Sequence, residues 1–595
     1  MSEDTPVGVI EGISGPVVFG EIDPAVALMM NEMVDVGERR LIGEVTRMTG
    51  DKATIQVYED TEGLRRNEPI YRSGQLLYVK LGPGLIGSIY DGLQRPLTAI
   101  KELHGEYIPP GVRLPKLPDR KWLFHPRVKL DDAVGHGDVV GVVYEGEFFE
   151  HRVMVPQEVS GQVIYVAEEG EYGVDDVVAR VRGIRGYHSV TMSHLWPVKL
   201  PRLYLHKHTV SEPLVTGTRV LDIILPVSKG GTVAVAGGFG TGKTVLLSQL
   251  LKTINVDVVV YVGCGERGNE IADLLKKIPN IKDRKRGLPL INRTVIIANT
   301  SNMPVAAREA SVYTGATISE FYRDMGYEVA LIVDSTSRWA EALRELSSRQ
   351  GEIPGEGGYP PYLASRLGEF YGRAGNVHCL GREGREGSLT IIAAVSPTGG
   401  DLSEPVTQKT MQIVRAFWAL DPELAYRRHF PAINVMQSFS HYVDTVEPFW
   451  VSQVGQNWMQ VRNSALELYA EKLDVERIVR LVGTGALSAE EQILLKNAEL
   501  LEDLFLKQSA MDPVDNYNSA EKQFQLMNLV LLLHEKDMEA VKAGTPLEAL
   551  LDSTLRKEIR DIKTMSDADM NRAYWRMRGR MNLFYLRLRR EYRRQ

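Results

Sequence analysis

Gly237-Gly238-Phe239-Gly240-Thr241-Gly242-Lys243-Thr244 fits the spacing of a loop that cradles a triphosphate. Glycines at its ends let consecutive backbone N–H groups curl around phosphate oxygens, and a helix opening there adds the positive end of its dipole. Lys243 then neutralises the β- and γ-phosphates, the Thr244 hydroxyl is placed for Mg2+, and Val245 carries the run into the helix. A chance match in so long a chain has a probability on the order of a few per cent. Context lowers it, because the strand-like TVAVAG precedes the loop and the helical TVLLSQLLKT follows it.

A nucleotide site also needs acids at the ends of neighbouring strands. The apolar run VALIVD ends on Asp334, a candidate to hold Mg2+ through water. The run VDVVVYVG leads into Cys264-Gly265-Glu266-Arg267-Gly268-Asn269-Glu270. Glu266 is the candidate to orient and polarise an attacking water, and Arg267 could reach the phosphates. Taken singly, Asp334 reads as a turn or helix N-cap residue, and Glu266-Arg267 as a surface pair at a helix start. Beside a phosphate loop, both readings shift towards chemistry. The twelve histidines show no HExxH or paired metal-ligand spacing, and His206 and His208, flanking Lys207 on a strand-like segment, read as ordinary surface residues.

These residues need a scaffold. Between about 200 and 440, apolar runs of strand length (TVAVAG, VDVVVYVG, TVIIANT, VALIVD, LTIIAAVS) alternate with amphipathic helical stretches, which predicts an α/β domain with a parallel sheet buried on both faces. Short Val/Ile-rich segments up to about residue 70 predict a small antiparallel barrel, and HPRVKL, GDVVGVVYE, EHRVMVP and GQVIYVA predict a second β module. That module is similar in spacing to barrel-sandwich folds that carry biotin or lipoate, but no acceptor lysine sits at a hairpin tip. Beyond about 445, Leu/Glu/Lys-rich helical spacing predicts a terminal bundle. Its last 25 residues hold nine arginines and one glutamate, the pattern of an amphipathic helix with a solvated basic face.

Composition excludes several classes. A net charge of -7 from 70 basic and 77 acidic residues argues against bulk gripping of nucleic acid, and two cysteines cannot build a disulfide framework or a multi-cysteine metal cluster. No apolar run is long enough to span a membrane and the first residues do not read as an export signal, so a cytoplasmic protein is expected.

The residues together resemble one family, the catalytic A subunit of V-type and archaeal-type rotary ATPases. The resemblance rests on LGPGLIGSIYDGLQRPL, the phosphate loop with its Gly-Phe-Gly centre, GCGERGNE, SNMPVAAREAS, PGEGGYPPYLASRLGEFY, SPTGGDLSEPVTQ and the ring-subunit signature PAINVMQSFS from Pro431. It implies four parts: an N-terminal β-barrel (1–75), an inserted β-rich module (112–190), a central RecA-like P-loop domain (76–111 and 191–440) and a C-terminal helical domain (441–595). It further implies ATP or ADP with Mg2+, a hexamer alternating with B subunits that donate an arginine finger in trans, and contact with central and peripheral stalks. The membrane is reached only indirectly, through a proton- or sodium-translocating sector, and no nucleic acid is involved. ATP hydrolysis or synthesis is thereby coupled to rotation and ion flow from a cytoplasmic position peripheral to the membrane. Phe430 matches the aromatic packed on adenine.

Two departures stand out. Met511 occupies a place where the family usually has a second adenine-pocket aromatic, and Thr241 stands where vacuolar relatives have a cysteine. Two other classes compete with the catalytic reading. A non-catalytic ring subunit is expected to lose the loop or the acid, yet Lys243, Thr244 and Glu266 are present. A hexameric nucleic-acid or export motor is the third reading; an RNA-translocating version should show a basic, aromatic platform in the barrel, which shows none.

Overall fold

The computed structural model describes residues 5–592 apart from 106, 147–148, 185, 285 and 552–553. The chain divides into two compact units, one of Met1–Val210, Lys229–Ala234 and Val256–Val414, the other of Ser211–Ser228, Val235–Asn255 and Arg415–Gln595.

In the first unit, strands Pro6–Ser14, Val17–Ile22, Lys52–Val57, Leu41–Thr49, Glu32–Val36 and Pro69–Leu76 close, in that order, into the expected antiparallel barrel. Alternation sends Val18, Val34, Val36, Val45, Ile55 and Ile70 into its interior. The second β module is two four-stranded sheets packed face to face. Phe124, Val140, Val143, Val163, Val178 and Val181 fill the space between them. Gly141 has no room for a side chain, since a Cβ there would lie 2.2 Å from the Phe124 ring. Strand His194–Pro197 then pairs antiparallel with Tyr78–Leu81, bringing the chain back beside the segment it left.

The α/β layer of this unit has the strand order Thr232–Ala236, Glu386–Val395, Glu328–Asp334, Val258–Glu266, Thr294–Thr300, Ile89–Tyr90. Pairing is parallel from Glu386–Val395 onwards. All five runs singled out in the sequence are strands. The short Ile89–Tyr90 strand belongs to the Gly-rich passage that reads as a linker in sequence; its register against Ile296 and Ile297 makes it an edge of the sheet. Helix Val305–Asp324 is buried on nearly every side, and Gly315 allows its close approach, because a Cβ would meet Val262 at 2.4 Å. Charges near its C-terminal end are paired: Asp324 with Arg202 at 2.6 Å and with Arg323 at 2.7 Å, and Glu320 with Arg373 at 3.4 Å. The barrel is tied in by Lys199, which reaches the buried Glu44 at 2.7 Å while the Tyr58 hydroxyl donates to the same carboxylate at 2.5 Å.

The second unit is mainly helical. Helices Trp458–Val482, Ala489–Leu501, Ala520–Lys542 and Asp567–Tyr592 form its body. A capping box between Ser488 and Glu491 starts the second of these, and Ser519 caps the third. The arginine-rich helix is amphipathic as expected. Met570, Tyr574, Met577, Met581, Tyr585 and Leu588 recur at steps of three and four and are buried. Tyr585 donates to Asp537 at 2.5 Å, and Arg589 and Arg580 pair with Glu539 and Glu558 at 2.5 and 2.8 Å, so the basic face is partly balanced by acids of the same bundle.

Candidate nucleotide site

The expected site residues fall into two groups, one in each unit. In the second unit the glycine-rich turn runs from the end of strand Thr232–Ala236 into helix Lys243–Thr253. Gly240 and Gly242 hold φ of +79° and +90°, which only glycine adopts without strain, and they turn the chain tightly enough for the loop to close. Gly237 is confined as well: a Cβ would stand 2.6 Å from the Thr241 hydroxyl and 2.8 Å from the Leu420 Cβ. Thr241 donates from its buried hydroxyl to the Gly238 carbonyl at 2.8 Å and so braces the turn. The Lys243 ammonium folds back over the loop and donates to the carbonyls of Gly237 and Gly238 at 2.5 and 2.9 Å. Thr244 is half-buried at the first turn of the helix, while Phe239 and Val245 are exposed.

Phe430 lies in the same unit and is half-buried. The Leu420 amide donates to the Ala236 carbonyl at 2.7 Å, which sets the segment leading to Phe430 beside the root of the loop. The Phe430 carbonyl accepts from the Gln508 amide at 2.6 Å. Gln508 in turn donates to the carbonyls of Gly217 and Asp515, both at 2.8 Å. Arg219 organises this cluster. Its buried guanidinium reaches Asp515 at 2.6 Å, the Phe505 carbonyl at 3.0 Å and the Lys507 carbonyl at 2.7 Å, and it also donates to Asn518. Met511 is exposed on that loop and supplies no enclosing wall of its own. Arg219 and Gln508 carry no motif spacing; only the fold shows that they set the position of Phe430.

In the first unit, Glu266 and Asp334 close neighbouring parallel strands. Gly263 is the Cα partner of Asp334, and the register slips between Cys264 and Glu266. That slip falls on Gly265, whose φ of +71° re-aims the chain, and a Cβ there would lie 2.8 Å from Arg338 and 2.9 Å from Arg308. Glu266 emerges half-buried and Arg267 exposed. Asp334 is buried and does not cap the following helix, which starts from Ser335 without a side-chain cap. Tyr261 is buried, and burial first, then the charges of Asp334 and Glu266, hold its phenol well above the ordinary tyrosine value. The Arg338 guanidinium, bound to Glu341 at 2.8 Å, also feels the charge of Glu266. Cys264 is fully buried, and burial pushes its thiol up to about 12, which removes it from nucleophilic chemistry.

With this geometry in view, comparison with known proteins is decisive. The nucleotide-binding domain model of the ATP synthase alpha/beta family matches residues 217–440. Its β-barrel domain matches 10–74, its barrel-sandwich domain 114–199, and the C-terminal domain of V and A type ATP synthase matches 447–551. The A subunit of the A-type ATP synthase of Methanopyrus kandleri is 50% identical over 564 residues, covering 94% of this chain and 95% of the relative.

The chain belongs to the A-subunit family of A-type and V-type ATP synthases.

The V-type ATP synthase alpha chain of Clostridium botulinum is 51% identical over 557 residues, 93% of each chain. The corresponding A-type ATP synthase chain of Thermococcus onnurineus is 50% identical over 559 residues, 94% of this chain and 95% of the relative. Among solved structures, the assembled ATPase EscN of the enteropathogenic E. coli type III secretion system aligns with a TM-score of 0.63 and 21% identity, covering 88% of this chain and all of that one. That likeness concerns the fold. Membership makes the chain a nucleotide-binding catalytic subunit of a rotary ATPase. Among the described residues no helix is long and apolar enough to cross a membrane.

Proposed function

We propose that the loop of residues 237–245 and the acids Glu266 and Asp334 serve one Mg-ATP site, at which this subunit hydrolyses or synthesises ATP. The observation that carries the reading is the pairing of two acids on adjacent strand ends, where ligands of parallel sheets bind. Glycines 237, 238, 240 and 242 let the backbone of the loop approach phosphate, and Lys243 exchanges its two carbonyl contacts for phosphate oxygens. Thr244 and Asp334 offer hard oxygen donors of the kind Mg2+ prefers, Asp334 acting through water. Mg2+ arriving with the nucleotide would draw charge from the β- and γ-phosphate oxygens.

Glu266 orients the attacking water and accepts its proton as the bond from water to the γ-phosphorus forms and the bond from that phosphorus to the bridging oxygen breaks, releasing ADP. Arg267, exposed next to it, meets the phosphates, and Phe430 stacks on adenine under the control of Gln508 and Arg219. The missing positive charge of the transition state falls to an arginine of a neighbouring B subunit in an alternating hexamer. A central stalk then passes rotation to a membrane sector that moves protons or sodium while a peripheral stalk holds the ring, which leaves this subunit cytoplasmic and peripheral to the membrane. Copurification followed by mass measurement of the intact complex tests the assembly; a complex lacking an equal number of B subunits would overturn it. Nucleotide titration of the Glu266 and Lys243 variants, argued below, tests the site.

A further inference from the structure

We propose that His206, His208 and His378 form a binding site for a divalent transition-metal ion, separate from the nucleotide chemistry. Strand His206–His208 pairs antiparallel with Gly375–His378, which pairs antiparallel with Glu386–Val395. The register sets His206 opposite His378 and His378 opposite Glu386, one row across three strands on a single face. His208, two residues on, shares that face, while Lys207 points away and donates to the carbonyls of Gly372 and Ala374, both at 2.7 Å.

The three histidines each offer a ring nitrogen within 4.8 Å of the other two. Ring centroids stand 4.7 Å apart for His206 and His208 and 5.2 Å for His206 and His378, the latter pair stacked at 8°. Nε2 of His208 is buried without a hydrogen-bond partner, and the carboxylate nearest to it, Glu386 Oε1, lies 3.6 Å away. Each ring nitrogen is a donor of the kind a divalent transition metal takes. A tetrahedral ion with metal–nitrogen bonds of about 2.0–2.1 Å needs donors about 3.3 Å apart, so the stacked His206 and His378 rings turn about their side-chain torsions to meet it. Three imidazoles with a carboxylate as fourth donor suit Zn2+, Co2+ or Ni2+ rather than Mg2+. Bound there, the ion would clip the short His206–His208 strand to the sheet edge.

The test uses the untagged, chelator-stripped full chain without nucleotide and with excess Mg2+, which occupies oxygen sites. Zn2+ binding is followed by calorimetry, and Co2+ by its visible ligand-field bands. One ion per chain is expected, with the absorption of a tetrahedral nitrogen-rich site. His206→Ala, on an exposed side chain, and His378→Ala should each weaken binding at least about tenfold, and Glu386→Gln less. Asp334→Asn should leave Zn2+ affinity unchanged. Absence of binding at millimolar metal, wild-type affinity in the two histidine variants, or loss through Asp334→Asn would each overturn the proposal. Circular dichroism of His206→Ala guards against misfolding as the cause of lost binding.

Discussion

Asp334 ends its strand opposite Gly263, three positions before Glu266 ends the neighbouring parallel strand. Asp334 is buried, whereas Glu266, past the Gly265 slip, is half-buried. Two carboxylates with different surroundings on neighbouring strand ends suit two different tasks, one holding a cation and one acting on water.

Glu266→Gln should leave Mg-ATP affinity nearly unchanged and lower turnover by about 10²–10⁴-fold, the range expected for a group that assists proton movement. Steady-state hydrolysis in a reconstituted ring, read beside a nucleotide titration, checks both halves. Unchanged turnover would remove Glu266 from the chemistry.

Lys243→Ala should act on binding as well as rate. Charge-assisted contacts of this kind contribute about 1.5–3 kcal/mol, so affinity should fall roughly 10- to 100-fold. The same titration distinguishes this loss from the behaviour of the Glu266 variant.

Asp515→Asn should destabilise the protein by about 3–5 kcal/mol, since it leaves the fully buried Arg219 guanidinium without its counter-charge. Because Arg219 and Gln508 position Phe430, adenine affinity should fall even where the variant stays folded. Thermal unfolding and binding of a fluorescent adenine nucleotide measure the two effects.

The pH dependence should carry a signature of Asp222. Burial pushes its carboxyl up to about 6, against hydrogen bonds from the Thr216 hydroxyl, the Gln523 amide and the Thr216 and Gly217 backbone. Its folded pKa lies above the unfolded value of about 3.9, so the folded state binds more protons between these values and stability falls as pH rises through that window. This group alone contributes about 3 kcal/mol of such a fall. Asp222→Asn should remove it, so the gap in unfolding midpoint between wild type and variant should narrow or reverse from pH 4 to pH 7. A gap constant with pH would show that Asp222 ionises as an ordinary carboxyl.

The loop, both acids and the kinds of layer that hold them are legible in the chain because each depends on local physics. Glycines at fixed spacing, apolar runs ending in Asp334 and GCGE, and the alternation that closes the barrel all show within a few residues. Folding settles what depends on residues far apart. Ile89–Tyr90 becomes an edge strand only through its register with Ile296 and Ile297. Arg219 gains meaning only when Asp515 and Gln508, nearly 300 positions away, fold against it. His206 and His208 look like surface residues until strand pairing sets His378 beside them, since a hydrogen-bonded register joins residues that no spacing along the chain relates.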